Sequence, residues 1–348
     1  MIQCQLKLEL TPRQERQLNH WLRHLGAVWN WAIRKIEQDA GGGDYYSSLT
    51  FQNLLNGHGA KIGIPQDAIS GTLKTAHEAW RRCFRKVAGK PRFKSYRNKL
   101  TSIAFAHGTR VIAGRVIVPF LGRVRFHGQE IPEGHIGQFR IVKRASGWYA
   151  CLWIQTEPNA IPRVASGQIG IDPGFNHLLT LSTGEKVAHP REFKASALRL
   201  AQAQRGSNKR LAARINERIA NQRKDRNHKL SRRLVSEHVF IAFSKDNITG
   251  IAKRFGKSVA SSGHYQLRQM LSYKSPTSGT EYVEVDSRNS TRACSACGAL
   301  TGPMGLRSLS VRHWTCPCGA EHDRDINAAV NTLIAGLGGS HETLARVA

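Results

Sequence analysis

The chain opens on a period of two. Ile2, Cys4, Leu6, Leu8 and Leu10 alternate with polar residues, the pattern of a strand with one buried face. The period then changes. Leu18, Leu22, Leu25, Trp29, Ala32, Ile33 and Ile36 recur at three- and four-residue spacing, which predicts a long amphipathic helix. Thr11-Pro12-Arg13-Gln14 supplies its start. Thr11 can accept from a free N–H of the first turn, Pro12 has no N–H to leave unpaired, and Gln14 can reach back to the cap. Gly41-Gly42-Gly43 ends this stretch. Shorter helices are expected from 50 to 88, with breaks near Gly57, Gly63 and Pro65.

Between 101 and 156 the period of two returns in short runs: TSIAF, RVIAGRVIV, GRVRF, GQFRIVKRA and GWYACLWIQT, with Gly114, Gly122 and Gly147 at turns. They predict a small barrel or curled sheet that takes in the first strand across the helical insertion. Ile161-Pro162-Arg163 reads as a linker. A second domain begins at 168, where Gln168-Ile169-Gly170-Ile171-Asp172 is a buried strand ending in an acid. Pro173-Gly174 turns the chain, and Leu178-Leu179-Thr180-Leu181 returns as its hairpin partner. Residues 195–238 are helical in pattern, with Leu211, Ile215 and Ile219 on one face and Leu230 and Leu234 likewise aligned. Val239-Phe240-Ile241-Ala242-Phe243 is another apolar strand, and a last helix runs from Ile326 to Leu337.

Charge narrows the function. The 348 residues include 52 Lys and Arg against 24 Asp and Glu, a net charge of +28. Self-repulsion of that size disfavours the free compact state and calls for a polyanionic partner, most simply nucleic acid. The basic residues are spread along the whole chain, so a basic tail is excluded and a membrane-surface role is disfavoured. The densest run is Arg81, Arg82, Arg85, Lys86, Lys90, Arg92, Lys94 and Arg97, interleaved with Trp80, Phe84, Phe93 and Tyr96. It predicts a surface that tracks phosphates, while aromatics at that spacing more often belong to a core. No stretch of about 18 apolar residues is present, and the first residues lack a signal-peptide apolar segment, so a cytoplasmic, nucleoid-associated protein is expected.

Seven cysteines in a reducing compartment argue against disulfides. Cys4, Cys83 and Cys151 are scattered and read as small buried hydrophobes. Cys294-Ser-Ala-Cys297 and Cys316-Pro-Cys318 form two close pairs, and Gly298 and Gly319 follow them where a knuckle needs positive φ. Four thiolates in that arrangement suit a tetrahedral structural Zn²⁺. Asp172, at the end of a strand before a glycine turn, is where an RNase H-like nuclease core carries its first Mg²⁺ carboxylate. Hydrolysis by two metals needs three or more such acids.

Three motifs in order carry a family resemblance: Gly170-Ile171-Asp172-Pro173-Gly174, the two cysteine pairs, and His322-Asp323-Arg324-Asp325-Ile326-Asn327-Ala328-Ala329. Together they resemble the TnpB family, transposon-encoded RNA-guided nucleases related to type V CRISPR effectors. Leu10-Thr11-Pro12, Pro91-Arg92-Phe93-Lys94-Ser95 and the basic stretch with Arg218, Arg223, Lys224 and Lys229 also look like family segments. The resemblance implies an α+β multidomain protein. An N-terminal β-barrel (wedge) domain of residues 1–12 and 92–164 would carry a helical recognition insertion at 13–91. An RNase H-like (RuvC) α/β domain of 165–290 and 321–348 would include basic linker helices at 192–238 and an inserted zinc ribbon at 291–320. It implies a guide RNA and a double-stranded DNA target with a short flanking motif as partners.

The first catalytic Asp of the family falls on Asp172 and the third on Asp325, with Asp323 as a structural neighbour. The second, a Glu in a Glu-Asp-Leu-Asn-like pattern, falls on Ser244, with Lys245 after it. Ser cannot replace an anionic ligand, and Lys245 adds positive charge beside it. Asp246 is the one nearby acid that could substitute. The fuller pattern is most similar to the nuclease-dead TnpB-like repressors, which bind guide RNA and DNA without cutting. The alternative is an active Mg²⁺-dependent endonuclease using Asp172, Asp325 and Asp246. A zinc-ribbon protein with no guide is the third reading.

Overall fold

In the computed structural model the described residues are 2–44, 46–105, 110–112, 114–127, 130–155, 167–189, 192–245, 256, 261–286, 288–304, 308 and 310–338. The chain forms two compact units, Met1–Pro158 and Asn159–Ala348. Among the described residues no helix is long and apolar enough to cross a membrane.

In the first unit the opening alternation is strand β1 (Ile2–Glu9), with Cys4, Leu6 and Leu8 buried. It is followed by helix α1 (Pro12–Gly41), capped as the sequence predicts. Gln14 N–H donates to the Thr11 hydroxyl, and Thr11 N–H donates to Gln14 Oε1 at 3.0 Å. All seven apolar positions read as its inner stripe are buried. Short helices α2 (Ser48–Asn53) and α3 (His58–Ile62) lead to α4 (Gln66–Phe84). Each buried indole here has an acceptor, as burial of that N–H requires: Trp21 on Gly63 O, Trp29 on Arg92 O and Trp80 on Ile33 O.

The β-rich stretch gives β2 (Ser102–Phe105), β3 (Arg110–Ile112), β4 (Arg115–Val118), β5 (Gly122–Phe126), β6 (His135–Arg144) and β7 (Gly147–Gln155). With β1 they form one antiparallel sheet in the order β2-β6-β7-β1-β5-β4-β3. The first strand is thus threaded into the middle of a sheet whose other strands follow the helices. The sequence predicts a small barrel or curled sheet; among the described residues the ladders end at β2 and β3, with none joining these two edges. Helix α4 packs against β2, close enough that a Cβ on Gly71 would lie 2.2 Å from the Ala104 carbonyl oxygen.

The second unit is built on a five-stranded sheet, β10-β9-β8-β11-β12. Strands β8 (Gly167–Pro173), β9 (His177–Leu181) and β10 (Lys186–Ala188) form an antiparallel meander. Strands β11 (His238–Lys245) and β12 (Glu281–Asp286) add on parallel to β8. Between them lie α5 (Glu192–Arg205), α6 (Lys209–Glu237) and α7 (His264–Ser278). The helical stretch therefore breaks at Gly206-Ser207, where Ser207 has φ +52°.

One sheet face (Ile169, Ile171, Ile241, Phe243) packs on Leu230, Leu234 and Val235 of α6 and on Leu267 and Leu271 of α7. The other face (Phe240, Ala242) meets Leu333 of the last helix, α8 (Arg324–Gly336). Burial on both faces explains why β11 reads as an unbroken apolar run. Residues 291–323 carry the short hairpin β13 (His313–Thr315) and β14 (Glu321–Asp323).

Candidate functional site

The four C-terminal cysteines converge. Cys294 Sγ lies 3.7 Å from Cys318 Sγ, and Cys297 Sγ lies 3.7 Å from Cys316 Sγ. All four sulfurs fall within 4.8 Å of one another. A tetrahedral Zn²⁺ with Zn–S bonds of about 2.3 Å has sulfur–sulfur edges of about 3.8 Å, so the cluster fits a structural zinc with every ligand supplied by protein. Two knuckles place the thiols. Gly298 N–H donates to Cys294 O, Gly319 N–H donates to Cys316 O, and these glycines take φ +81° and +89° as the sequence required. A second layer surrounds the sulfurs: His322 Nε2 lies 3.0 Å from Cys294 Sγ, and the Thr301 hydroxyl donates to Cys316 Sγ at 3.2 Å. Four thiols this close cannot all ionise without a cation. The Cys318 backbone N–H and the Thr301 hydroxyl pull Cys316 down to about 6. The Ala299 N–H favours the Cys297 thiolate, but the neighbouring sulfurs and burial outweigh it and push Cys297 up to about 12.

The same segment is fastened to α8. Asn327 Oδ1 accepts from Ser295 N–H, its amide donates to Ser290 O and Ala293 O, and Asn331 donates to the same two carbonyls. The Asn of the Asp-x-Asn-Ala-Ala motif is thus a tie between helix and first knuckle. Ala328 and Ala329, both fully buried, let the helix lie close on the sheet. The closeness is extreme at Gly170, where a Cβ would meet Ala329 O at 2.0 Å.

This packing positions the candidate carboxylates. Gly170 is level with Ala242 on the neighbouring parallel strand, and Phe243 is level with Ile171. One residue further, Asp172 and Ser244 are therefore level, on the face that carries α8. Asp325 stands one helical turn before Ala329, on the same side of α8. Ser244 is fully buried, and among the described residues its hydroxyl has no hydrogen-bond partner. Asp325 receives Arg312, whose Nη1 lies 3.2 Å from Oδ1 and 3.4 Å from Oδ2. Asp323 is occupied structurally. It caps α8 by accepting from the N–H groups of Asp325 and Ile326, and Lys186 Nζ lies 2.6 Å from its other oxygen. Burial pushes its carboxyl up, but Lys186 and the two N–H groups outweigh that and hold it below the usual range. Asp246 lies outside the described residues. Among the described residues the only convergence of three or more metal-ligating side chains is the four cysteines. Of the described strand-end and helix-start positions, Ser244 offers a neutral hydroxyl and Asp325 receives the Arg312 guanidinium.

The basic residues fall in two places. Arg81 and Arg82 end α4, Arg85 follows, and Lys86 turns the chain at φ +59°. An irregular strap then crosses α1. Asn30 clamps the Lys94 backbone by accepting from its N–H at 2.7 Å and donating to its carbonyl at 2.9 Å. Lys90 pairs with Glu37, and Lys94 Nζ sits over the Trp29 ring. Arg92 and Arg97 are exposed, as are Phe84, Phe93 and Tyr96, whereas Trp80 is core. On α6, Arg218 and Lys229 are exposed, and Lys229 pairs with Asp225. Arg223 and Lys224 are half-buried, and Arg223 packs on Gly263.

Three features escaped sequence reasoning. Arg312 on Asp325 is one. The second is Arg226, which bonds both oxygens of Glu192 and Ser262 O, with the buried Asn227 amide beside it on Gly263 O and Gln266. The third is buried His264, bonded through Nε2 to Leu178 O. None has a periodic or spacing signal. The position of Arg312 four residues before Cys316 was the nearest available cue.

Fold and site define a strongly basic α+β protein with a zinc-binding cysteine knuckle and a five-stranded sheet whose central strand β8 carries Asp172 near its end. Residues 264–332 match the family model described as "Cas12f1-like, TNB domain", and residues 154–254 match that described as "Probable transposase". Proteins named "Putative RNA-guided DNA endonuclease" are similar in Streptomyces pristinaespiralis (32% identity, covering 77% of this chain and 71% of the relative) and, as InsQ, in Escherichia coli strain K12 (24%, covering 95% and 91%). A cryo-EM structure of a Cas12f1-sgRNA-target DNA complex aligns over 96% of this chain and 99% of its own at 14% identity, with a TM-score of 0.38. The chain belongs to the TnpB family of RNA-guided DNA endonucleases, related to Cas12f.

Proposed function

We propose that this chain is a guide-RNA-dependent DNA-binding protein whose cutting site is degenerate, and that it acts as a transcriptional repressor by occupying guide-matched DNA beside a short flanking motif. The second unit is assigned as an RNase H-like (RuvC) core, on the strength of its meander-plus-two-parallel-strands order and of Asp172 near the end of β8. Residues 291–320 are its zinc ribbon, 192–238 its basic linker helices, and the first unit the wedge with its recognition insertion. Basic side chains at 81–97 and on α6 hold nucleic acid by its phosphates, while base pairing with the guide reads sequence.

The observation that carries the reading is Ser244. It occupies the strand position level with Asp172, fully buried, with a hydroxyl that has no hydrogen-bond partner among the described residues. A neutral donor there cannot help concentrate Mg²⁺, and Arg312 already neutralises Asp325. The competing reading, an active endonuclease that recruits Asp246, draws on the names of the relatives. A pair of variants separates the two. Under the degenerate-site reading, Asp246→Ala changes nothing in DNA binding or cutting, whereas Ser244→Glu with Lys245→Asp raises Mn²⁺ affinity, read by titration of the purified protein. Guide-dependent cutting by the wild type that disappears in Asp246→Ala establishes the competing reading.

A further inference from the structure

In the first unit a cavity of about 240 Å³ opens between the end of α1 and the last turns of α4. Ile36, Ala40, Tyr46, Trp80 and Phe84 give it apolar and aromatic walls, and Asp44 and Arg81 are part of its polar lining. Trp80 is a fixed platform: it is buried, and its indole N–H is tied to Ile33 O at 2.9 Å. The Phe84 ring stacks on it, 5.1 Å between centroids and 25° between planes, yet remains 49% exposed. A half-exposed ring held against a buried one contributes apolar surface to the cavity wall.

The basic strap leaves from this place. Arg81 and Arg82 lie in the last turn of α4, Arg85 and Lys86 come directly after Phe84, and Lys90 and Arg92 follow, all of them exposed. The ion pair that Arg81 makes with Glu78 is an exposed surface pair that a phosphate can displace. An aromatic slot at the head of a run of cations is the arrangement by which proteins take a single-stranded nucleic acid, with phosphates on the cations and a base on the rings.

We propose that the cavity is a slot for one unpaired nucleobase of an RNA strand whose phosphates follow the strap from Arg81 toward Arg97. The volume lies below the range of about 300–1,000 Å³ typical of drug-sized ligands, which suits a single base. RNA is favoured over duplex DNA because the base must be splayed out of its stack, as in RNA loops, bulges and ends. The Asp44 carboxylate accepts from an exocyclic amino group, which adenine has and uracil lacks. The inference rests on the nucleic-acid reading of the protein and adds a site to it.

The test uses the full chain freed of copurified nucleic acid at high salt, with short fluorescent oligo(rA), oligo(rU) and oligo(dA) followed by anisotropy across a salt series. Phe84→Ala removes a half-exposed wall, and Ala40→Trp fills the slot. Each is expected to weaken oligo(rA) binding by about 5- to 150-fold without changing the slope of log affinity against log salt, and Phe84→Tyr restores it. Arg85→Ala does the reverse, flattening that slope by about one unit. Oligo(rU) binds more weakly than oligo(rA) to the wild type and loses less. Wild-type affinity for oligo(rA) in both Phe84→Ala and Ala40→Trp overturns the slot while leaving RNA binding intact. A loss confined to oligo(dA) overturns its assignment to RNA. A wild-type chain that binds none of the three overturns the nucleic-acid reading itself.

Discussion

Gly170→Ala tests how tightly the second unit couples packing to its acids. The new Cβ would lie 2.0 Å from Ala329 O, 2.7 Å from Leu333 N and 2.8 Å from Leu333 Cβ, two of these three being backbone atoms that cannot swing aside. Ordinary carbon contacts need about 3.5 Å, so α8 must retreat from β8 by roughly 1 to 1.5 Å. Overpacking of this kind costs about 1–3 kcal/mol. The displacement also moves Asp325 relative to Asp172, in a site type that needs placement within about 0.5 Å. Hydrogen exchange read on peptides of β8 and α8 is the appropriate assay, because the chain has two units and one global melt would mix them. Protection of α8 amides is expected to fall by about 5- to 150-fold, the equivalent of that cost, with peptides of β1 and α1 unchanged. Unchanged α8 protection would refute the close approach and, with it, the reason given for glycine at the head of the Gly-Ile-Asp motif.

Three further outcomes follow from the site. One zinc per chain is expected by elemental analysis, and Cys316→Ser should lose it and unprotect the segment around both knuckles, since structural zinc contributes folding energy directly, about 10–16 kcal/mol in isolated fingers. Because Asn327 and Asn331 tie α8 to the first knuckle, chelation should also loosen the start of α8. His264 is the pH-sensitive group: burial holds its imidazole at about 4 against an ordinary 6.5, so the unfolded chain takes up the proton first as pH falls. Stability of the second unit is therefore complete above about 6.5 and is lost progressively down to about 4, by roughly 3 kcal/mol; His264→Gln should flatten that slope in urea titrations at several pH values.

Much of this structure is legible in the residues because local physics and tertiary packing agree. The α1 stripe and its Thr11–Gln14 cap, the strands of the first sheet and the apolar β11 each carry a period or a cap that burial then satisfies. The cysteine knuckles are legible for a different reason: metal ligands tolerate few alternatives, so spacing alone locates them. Helix α7 was hidden, since its apolar residues make a weak stripe and Pro276 sits inside its last turn. Strand β12 was hidden too, its EYVEVD run carrying three acids on a partly exposed sheet edge. The Arg312–Asp325 pair and the Arg226–Glu192 clamp join residues 13 and 34 positions apart and leave no periodic trace. The period-two runs left open a small barrel or a curled sheet, because alternation does not determine whether sheet edges meet.

Under the proposed function this chain recognises guide-matched DNA and leaves it whole, because Ser244 stands level with Asp172 in place of an acid. The most direct measurement loads purified protein with its copurified RNA and offers end-labelled duplex that matches the guide, in Mg²⁺ and separately in Mn²⁺. A native gel reads binding, and a denaturing gel of the same samples reads strand breaks. A shifted native band that needs the matched sequence, with full-length strands on the denaturing gel, is the predicted result. Guide-dependent breaks in either metal, abolished by Asp172→Ala, would contradict it.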